Sequence, residues 1–309
     1  MKLYARQRGT GVHYALLYGS GVIGSAIDHA ISQQRAGWNR EVLPWPWADS
    51  AGRATQSEVL SGRIGEADRI DVVWAAGASG FTSTDEAMAG ELSCVAQVAN
   101  LTGCLARRSR QTAFHLFSSA GGLFEGQAWI GPYSCARPER PYGRGKLRQE
   151  QLVMSLTDGV VPKIYRPSSV YGYTRHARRG LFTAMVTAIL RNQPLVIYGA
   201  PGTLRDYVFS RDIGQHVAAA LTRPIDGAGI AFLASGKPTS LAEAITTIET
   251  QLGRRLYHRY DSAPNNALNM TIHASAIPAR FPRTPLAEGV ALLLQNISKE
   301  LLSVPYEPH

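Results

Sequence analysis

Tyr14-Ala-Leu-Leu-Tyr-Gly-Ser-Gly-Val-Ile-Gly-Ser-Ala-Ile27 decides how the rest of the chain is read. Its apolar start predicts a buried strand, Gly19, Gly21 and Gly24 follow as G-x-G-x-x-G, and Ile23, Ile27 and Ile31 recur at helical spacing. The pattern is strand, tight turn and helix. Glycines are required because the turn bends sharply, the backbone must approach a pyrophosphate, and the helix must pack hard on the strand. A helix N-terminus there aims free N–H groups and the positive end of its dipole at phosphate oxygens. Gly19, Ser20, Gly21, Val22, Ile23 and Gly24 are therefore the first candidate cofactor-binding residues.

Outward from this turn, the chain alternates strand and helix, which predicts an α/β fold with a doubly wound parallel sheet. Glu41-Val-Leu-Pro-Trp-Pro-Trp47 should hold the second strand, with two prolines making its end irregular. That strand end meets the adenosine ribose in a dinucleotide fold, where an acid favours NAD and an arginine NADP. Asp49 and Arg53 come too late to decide, so the cofactor is NAD or NADP. Asp71-Val-Val-Trp-Ala-Ala-Gly77 is another buried strand, and its small end residues, Ala75, Ala76 and Gly77, let a flat ligand approach the backbone. A long helix, roughly 86–106, leads into Thr112–Ser118, a strand with Ser118 and Ser119 at the carboxyl end where open α/β sheets place their chemistry. His115 lies within that strand and reads as packed.

Pro141-Tyr-Gly-Arg-Gly-Lys146 carries the chemistry. Proline suits a helix start, and Tyr142 and Lys146, four apart, share one helix face. A free phenol has a pKa of ~10 and is a poor base at neutral pH; an adjacent ammonium and a cationic nicotinamide would favour its phenolate. Further on, Arg166–Gly172 leaves a strand as a loop, 181–190 is helical, and 194–199 and 205–209 are short strands. Ser240 and Glu243 form a capping box for a helix closed by Gly253, and Thr284-Pro285 opens a last helix. The regularity loosens after about residue 167, which predicts a nucleotide-binding domain over 1–166, with a return around 205–222, and a smaller C-terminal lobe over 167–309.

Composition sets the limits. At 309 residues, 45% hydrophobic and 18% charged, this is an ordinary globular chain. It has no apolar run of membrane-spanning length, and Met1–Thr10 has no apolar signal core. Cys94, Cys104 and Cys135 make no metal spacing, so no metal is expected, and they suit a reducing compartment, which points to the cytoplasm. The net charge of +9 comes from scattered groups, Arg107/Arg108/Arg110, Arg175/Arg178/Arg179 and Arg254/Arg255/Arg259. They are not interleaved with aromatics as nucleic-acid sites are, and read as solvated surface or as steering for an anionic small substrate.

These pieces in this order resemble the extended short-chain dehydrogenase/reductase family, in its NAD-dependent sugar epimerase/dehydratase branch. The resemblance rests on the glycine turn, Ile70–Gly77, Phe117-Ser-Ser119, Pro141–Lys146, Arg166-Pro-Ser-Ser-Val-Tyr-Gly172, Ile197-Tyr-Gly199 with Arg205-Asp206, and Thr284–Gly289. It implies a Rossmann-type domain for NAD(P) and a smaller C-terminal lobe for a nucleotide-diphosphate sugar. Tyr142 would be the acid/base, Lys146 would bind the nicotinamide ribose and tune Tyr142, and Ser169 and Arg205 would contact substrate, Arg205 at the diphosphate. Relatives often dimerise through Rossmann helices, so a homodimer is expected.

The departures narrow the chemistry. The glycine turn is one residue shorter than the family's. Ala120 stands at the usual catalytic Ser/Thr position, leaving Ser119 or Ser118 to supply that hydroxyl. Gly121-Gly122 replace the Asp-Glu pair of dehydratases, and Ser169 and Tyr173 stand where many relatives have Asn and Pro. The reading is a sugar-nucleotide 4-epimerase acting by transient oxidation at C4, which needs no second acid/base pair. The alternatives are an NAD(P)-dependent reductase or dehydrogenase of a sugar nucleotide or other carbonyl compound, and a non-catalytic dinucleotide sensor.

Overall fold

A computed structural model describes residues 1–34, 37–157, 159–174, 180–261 and 268–303; Arg175, Arg178 and Arg179 lie outside them. The chain opens with a hairpin of β1 (Lys2–Arg8) and β2 (Gly11–Tyr18), joined by Gly9 and Thr10 with Gly9 at φ +61°. Next come α1 (Val22–Ser32), β3 (Asn39–Val42), α2 (Ser50–Arg63), β4 (Ala67–Trp74) and α3 (Asp85–Ala106). They are followed by β5 (Ser109–Phe117), a short α4 (Ala120–Leu123), α5 (Pro141–Met154) and β6 (Val160–Pro167). The remainder comprises β7 (Ser169–Tyr171), α6 (Leu181–Arg191), β8 (Leu195–Tyr198), β9 (Leu204–Phe209), α7 (Ser210–Ala220) and β10 (Gly229–Leu233). Last are β11 (Pro238–Ser240), α8 (Leu241–Leu252), β12 (His258–Asp261) and α9 (Leu286–Ser303).

Seven strands form the main sheet in the order β10-β6-β5-β4-β2-β1-β3. From β10 to β2 every pairing is parallel, and helices cover both faces, as crossovers require. On one face Ile27 and Ile31 of α1 are buried with Val208, Ile213 and Val217; on the other Leu60, Val95, Val98 and Leu105 pack on Leu16, Val72 and Leu116. A buried aliphatic side chain of this kind is worth ~1.5–3 kcal/mol. Gly214 lets α7 cross α1 closely: a Cβ there would lie 2.3 Å from the Ala26 carbonyl oxygen.

The sheet departs from an all-parallel reading at one edge. β1 runs antiparallel between β2 and β3, so the strand after the first helix is displaced one place outward from the order 3-2-1-4-5-6 of doubly wound folds. Leu3 and Tyr4, both buried, anchor β1 into the opposite faces of the sheet.

The second lobe has its own core around Phe182, Met185, Ile189, Ile245, Ile248 and Leu293. Its strands make two small sheets, β11-β9-β7 and β12-β8. The short strands 194–199 and 205–209 do not pair with one another: β8 pairs with β12, and β9 lies between β7 and β11. Asp206 joins the lobes, accepting from the backbone N–H groups of Ser235 (2.7 Å) and Gly236 (2.7 Å) and from the Ser168 hydroxyl (3.1 Å). Ser240 caps α8, accepting from the Glu243 N–H at 3.0 Å, and Gly253 ends it at φ +62°.

Candidate active site

The three glycines of the turn do three different things. Gly19, at φ +110°, closes the gap between β2 and β4, since a Cβ there would sit 2.4 Å from the Ala75 carbonyl oxygen. Gly24 seats α1 on the turn, 2.3 Å from the Gly19 carbonyl oxygen by the same measure. Around Gly21 a Cβ would meet nothing within 4 Å, and Gly21 caps α1 without any side-chain hydrogen bond. No side chain caps the first N–H groups of α1, which stand at the positive end of the helix dipole beside the space that Gly21 leaves open. A pyrophosphate fits this cradle.

α5 begins at Pro141 and brings Tyr142 against α4: the Tyr142 ring carbons lie 2.9 Å from where a Gly122 Cβ would be. The Gly143 position is tighter, 2.0 Å from the Gly122 carbonyl oxygen, so glycine is needed on both sides of this contact. The Phe81 ring covers Tyr142 at 5.6 Å between centroids. One turn along, the Lys146 ammonium lies 5.8 Å from the Tyr142 ring centroid. It is buried and donates to Glu91 Oε1 at 2.7 Å and to Gln149 Oε1 at 3.2 Å. Burial opposes the charge on Lys146, but the Glu91 carboxylate, together with Tyr142 and Glu150, outweighs it and holds the ammonium's pKa above the usual lysine value. Glu91 in turn is held below the usual carboxylate range, with Lys146 and hydrogen bonds from Gln149 and Ser79 together outweighing its own desolvation.

Glu91 was not among the residues singled out in the sequence, although it occupies the helix spacing of Met88 and Val95, both buried. An acid on the buried stripe of a helix is the signal that finds it. Its carboxylate reaches Gly77, 3.0 Å from where a Cβ would be, on the wall of a cavity of about 480 Å³ also lined by Trp47, Ala76, Ser79 and Cys94.

The two serines separate. Ser119 caps α4, accepting from the Gly122 N–H at 3.1 Å, and lines an inter-lobe cavity of about 530 Å³. Ser118 is buried, and among the described residues its Oγ has no hydrogen-bond partner. Ala120, at the family's hydroxyl position, is fully buried. Ser169 and Arg205 line the same inter-lobe cavity as Ser119. Arg205 donates to the Leu268 carbonyl, and burial lowers its pKa. Among the described residues no group of three or more His, Cys, Asp or Glu could hold a metal ion, and no helix is long and apolar enough to cross a membrane.

At the adenosine end, the displaced β3 leads into Leu43, Pro44 and Trp45, with no acid among them. Trp45 packs on Tyr18 at 4.8 Å, and Trp47, 44% exposed, lies 6.0 Å from Trp74. Arg53 is buried and holds this loop, donating to the Trp47 carbonyl at 2.6 Å. It is a structural residue of the loop, and Asp49 precedes α2 as its N-cap residue.

Fold and clefts together define a dinucleotide-fold α/β protein with a second ligand cavity between its lobes. The chain belongs to the NAD dependent epimerase/dehydratase family, which matches residues 16–232. A curated relative from Methanocaldococcus jannaschii, provisionally named UDP-glucose 4-epimerase, is 28% identical over 153 residues, 47% of this chain and 49% of that protein. The match thus spans about half the length of that relative. Among solved structures, MoeE5 in complex with UDP-glucuronic acid and NAD superposes with a TM-score of 0.75 at 19% identity, covering 91% of this chain and 97% of that one. The UDP-glucose 4-epimerase of Thermus thermophilus in complex with NAD gives 0.72 at 17% identity, covering 92% and 98%.

Proposed function

We propose that the protein is an NAD(P)-dependent 4-epimerase of a nucleotide-diphosphate sugar. In this reading residues 1–166, with a return around 205–222, hold the dinucleotide, and the C-terminal lobe holds most of the substrate. What supports it is Tyr142, one helical turn from Lys146 and packed against Gly122 of α4, the helix that Ser119 caps, while Ser119 lines a cavity that also presents Ser169 and Arg205. The glycine turn would hold the pyrophosphate of the dinucleotide and Lys146 its nicotinamide ribose, and the group so held would supply reversible hydride acceptance at C4. Tyr142 Oη removes the C4 hydroxyl proton and gives it back once the keto sugar has turned in the cleft. Ser119 donates to the same substrate oxygen, Lys146 supplies the fixed positive charge beside it, and Arg205 meets the diphosphate. The relatives' names and bound sugars support the substrate class, and the absence of an Asp-Glu pair at Gly121-Gly122 supports epimerisation over dehydration.

The test has two parts. Denatured protein should release NAD or NADP, identified by mass, and wild-type protein should convert a UDP-, GDP- or dTDP-hexose to a product of unchanged mass and altered chromatographic mobility. Tyr142→Phe should retain the cofactor and lose turnover by ~10²-fold or more. Consumption of added NAD(P)H with a two-hydrogen mass change would make the protein a reductase instead, and full activity in Tyr142→Phe would remove the proposed base.

A further inference from the structure

Glu125 lies two residues beyond the end of α4 and lines the inter-lobe cavity together with Ser119, Ser169 and Arg205. Its side chain is 8% exposed, and one carboxylate oxygen lies 2.8 Å from Arg140 Nη2. Among the described residues no protein donor hydrogen-bonds its other oxygen. Arg140 is the residue just before α5, so the ion pair fixes the carboxylate to the helix that carries Tyr142. The Arg140 guanidinium also lies 5.4 Å from the Phe81 ring centroid, and that ring covers Tyr142. Glu125, Phe81 and Tyr142 are thereby held in one packed arrangement.

A carboxylate this buried is costly unless its charge is matched. Burial pushes its pKa above the usual carboxylate value despite the opposing fields of Arg140 and Arg205, so protein partners repay only part of the cost. Among the described residues the remaining oxygen is an acceptor without a protein donor, in a cavity whose cation, Arg205, suits a diphosphate. Hydroxyl groups of a neutral hexose are donors that match it. A hexose carboxylate offers only acceptors there and brings like charge against like in a desolvated site.

We infer that Glu125 is a specificity-determining residue of the inter-lobe cavity, selecting nucleotide sugars whose hexose is neutral and hydroxylated over those whose hexose carries a carboxylate. This rests on the nucleotide-sugar reading given above. The test compares UDP-glucose with UDP-glucuronic acid, by calorimetric Kd and by kcat/KM, in cofactor-loaded wild type, E125Q and E125D. Wild type should prefer UDP-glucose by about tenfold or more, and E125Q should shrink that preference by about tenfold, mainly through tighter binding of the uronate. E125D, which keeps the charge, should keep the preference. Cofactor content and Tm should be unchanged in E125Q; if that variant proves unstable, E125Q/R140Q, which removes both charges, gives the same readout. An unchanged preference in folded E125Q, or a wild type that binds the uronate as well as the glucose, overturns the inference and leaves the epimerase reading standing. Failure of wild type to bind either sugar overturns that reading and this inference with it.

Discussion

Ser119 and Ser118 are adjacent, yet only Ser119 lines the inter-lobe cavity. Ser119→Ala should therefore lose ~10²-fold or more in turnover at unchanged cofactor affinity, while Ser118→Ala should be nearly silent in kcat. Steady-state kinetics on both variants checks this, and the opposite ranking would assign the hydroxyl to Ser118. Lys146 allows a sharper statement. Its ammonium is buried with Glu91 as its charged partner, so Glu91→Ala leaves a buried charge uncompensated and should cost about 3–5 kcal/mol, read as a lowered urea midpoint. The Tyr142–Lys146 unit was legible in the chain because helical spacing is a local property. Glu91 and Glu125 were not, because nothing local says that an acid on α3 faces Lys146 or that one after α4 enters a cavity built by a distant lobe.

At the scale of elements, the contact between α4 and α5 is the tightest joint of the candidate site. A Cβ on Gly143 would fall 2.0 Å from the Gly122 carbonyl oxygen, and backbone cannot move aside cheaply. Gly143→Ala should destabilise by at least ~1–3 kcal/mol and, by displacing Tyr142, should reduce turnover further than the stability loss explains. Urea unfolding and kinetics on the same preparation separate the two effects. The parallel strands β2, β4, β5 and β6 and the helices α1, α3 and α5 were readable from short apolar runs and 3.6-residue spacing, whereas α2 was not. β1 was not, since Lys2-Leu-Tyr-Ala-Arg-Gln-Arg8 looks polar and basic as a composition. The two-residue Gly9-Thr10 turn beside an alternating run was the available signal. Missing β1 also left the ribose-binding strand unplaced: the residues sought after Glu41 follow a strand that lies two positions from β2, with β1 between them.

Across the whole molecule, a polar ladder crosses the sheet from β1 to β6. His13 Nε2 and His115 Nε2 donate to Asp71 at 2.6 and 2.9 Å, Arg6 donates to His13 Nδ1 at 3.2 Å, and Tyr165 donates to His115 Nδ1 at 3.0 Å. With Arg6 donating to its Nδ1, His13 is a neutral imidazole. Burial lowers the pKa of His13, and burial brings His216, beside Tyr165, down to about 4. Unfolded histidines titrate near ~6.5, so the stability these groups contribute is complete above that pH and is lost as pH falls toward 4, by up to ~3 kcal/mol for His216. Urea unfolding between pH 7.5 and 4.5 should show this decline, and His216→Phe should flatten part of it. The β1–β2 hairpin has a kinetic meaning as well. Each parallel pair must wait for a crossover of a dozen or more residues, whereas a two-residue turn closes in ~1–10 μs and offers the chain its earliest strand pair. A substitution that disfavours the positive φ of Gly9, such as Gly9→Val, should then slow refolding more than it speeds unfolding, making an edge added to the sheet the seed from which the sheet grows.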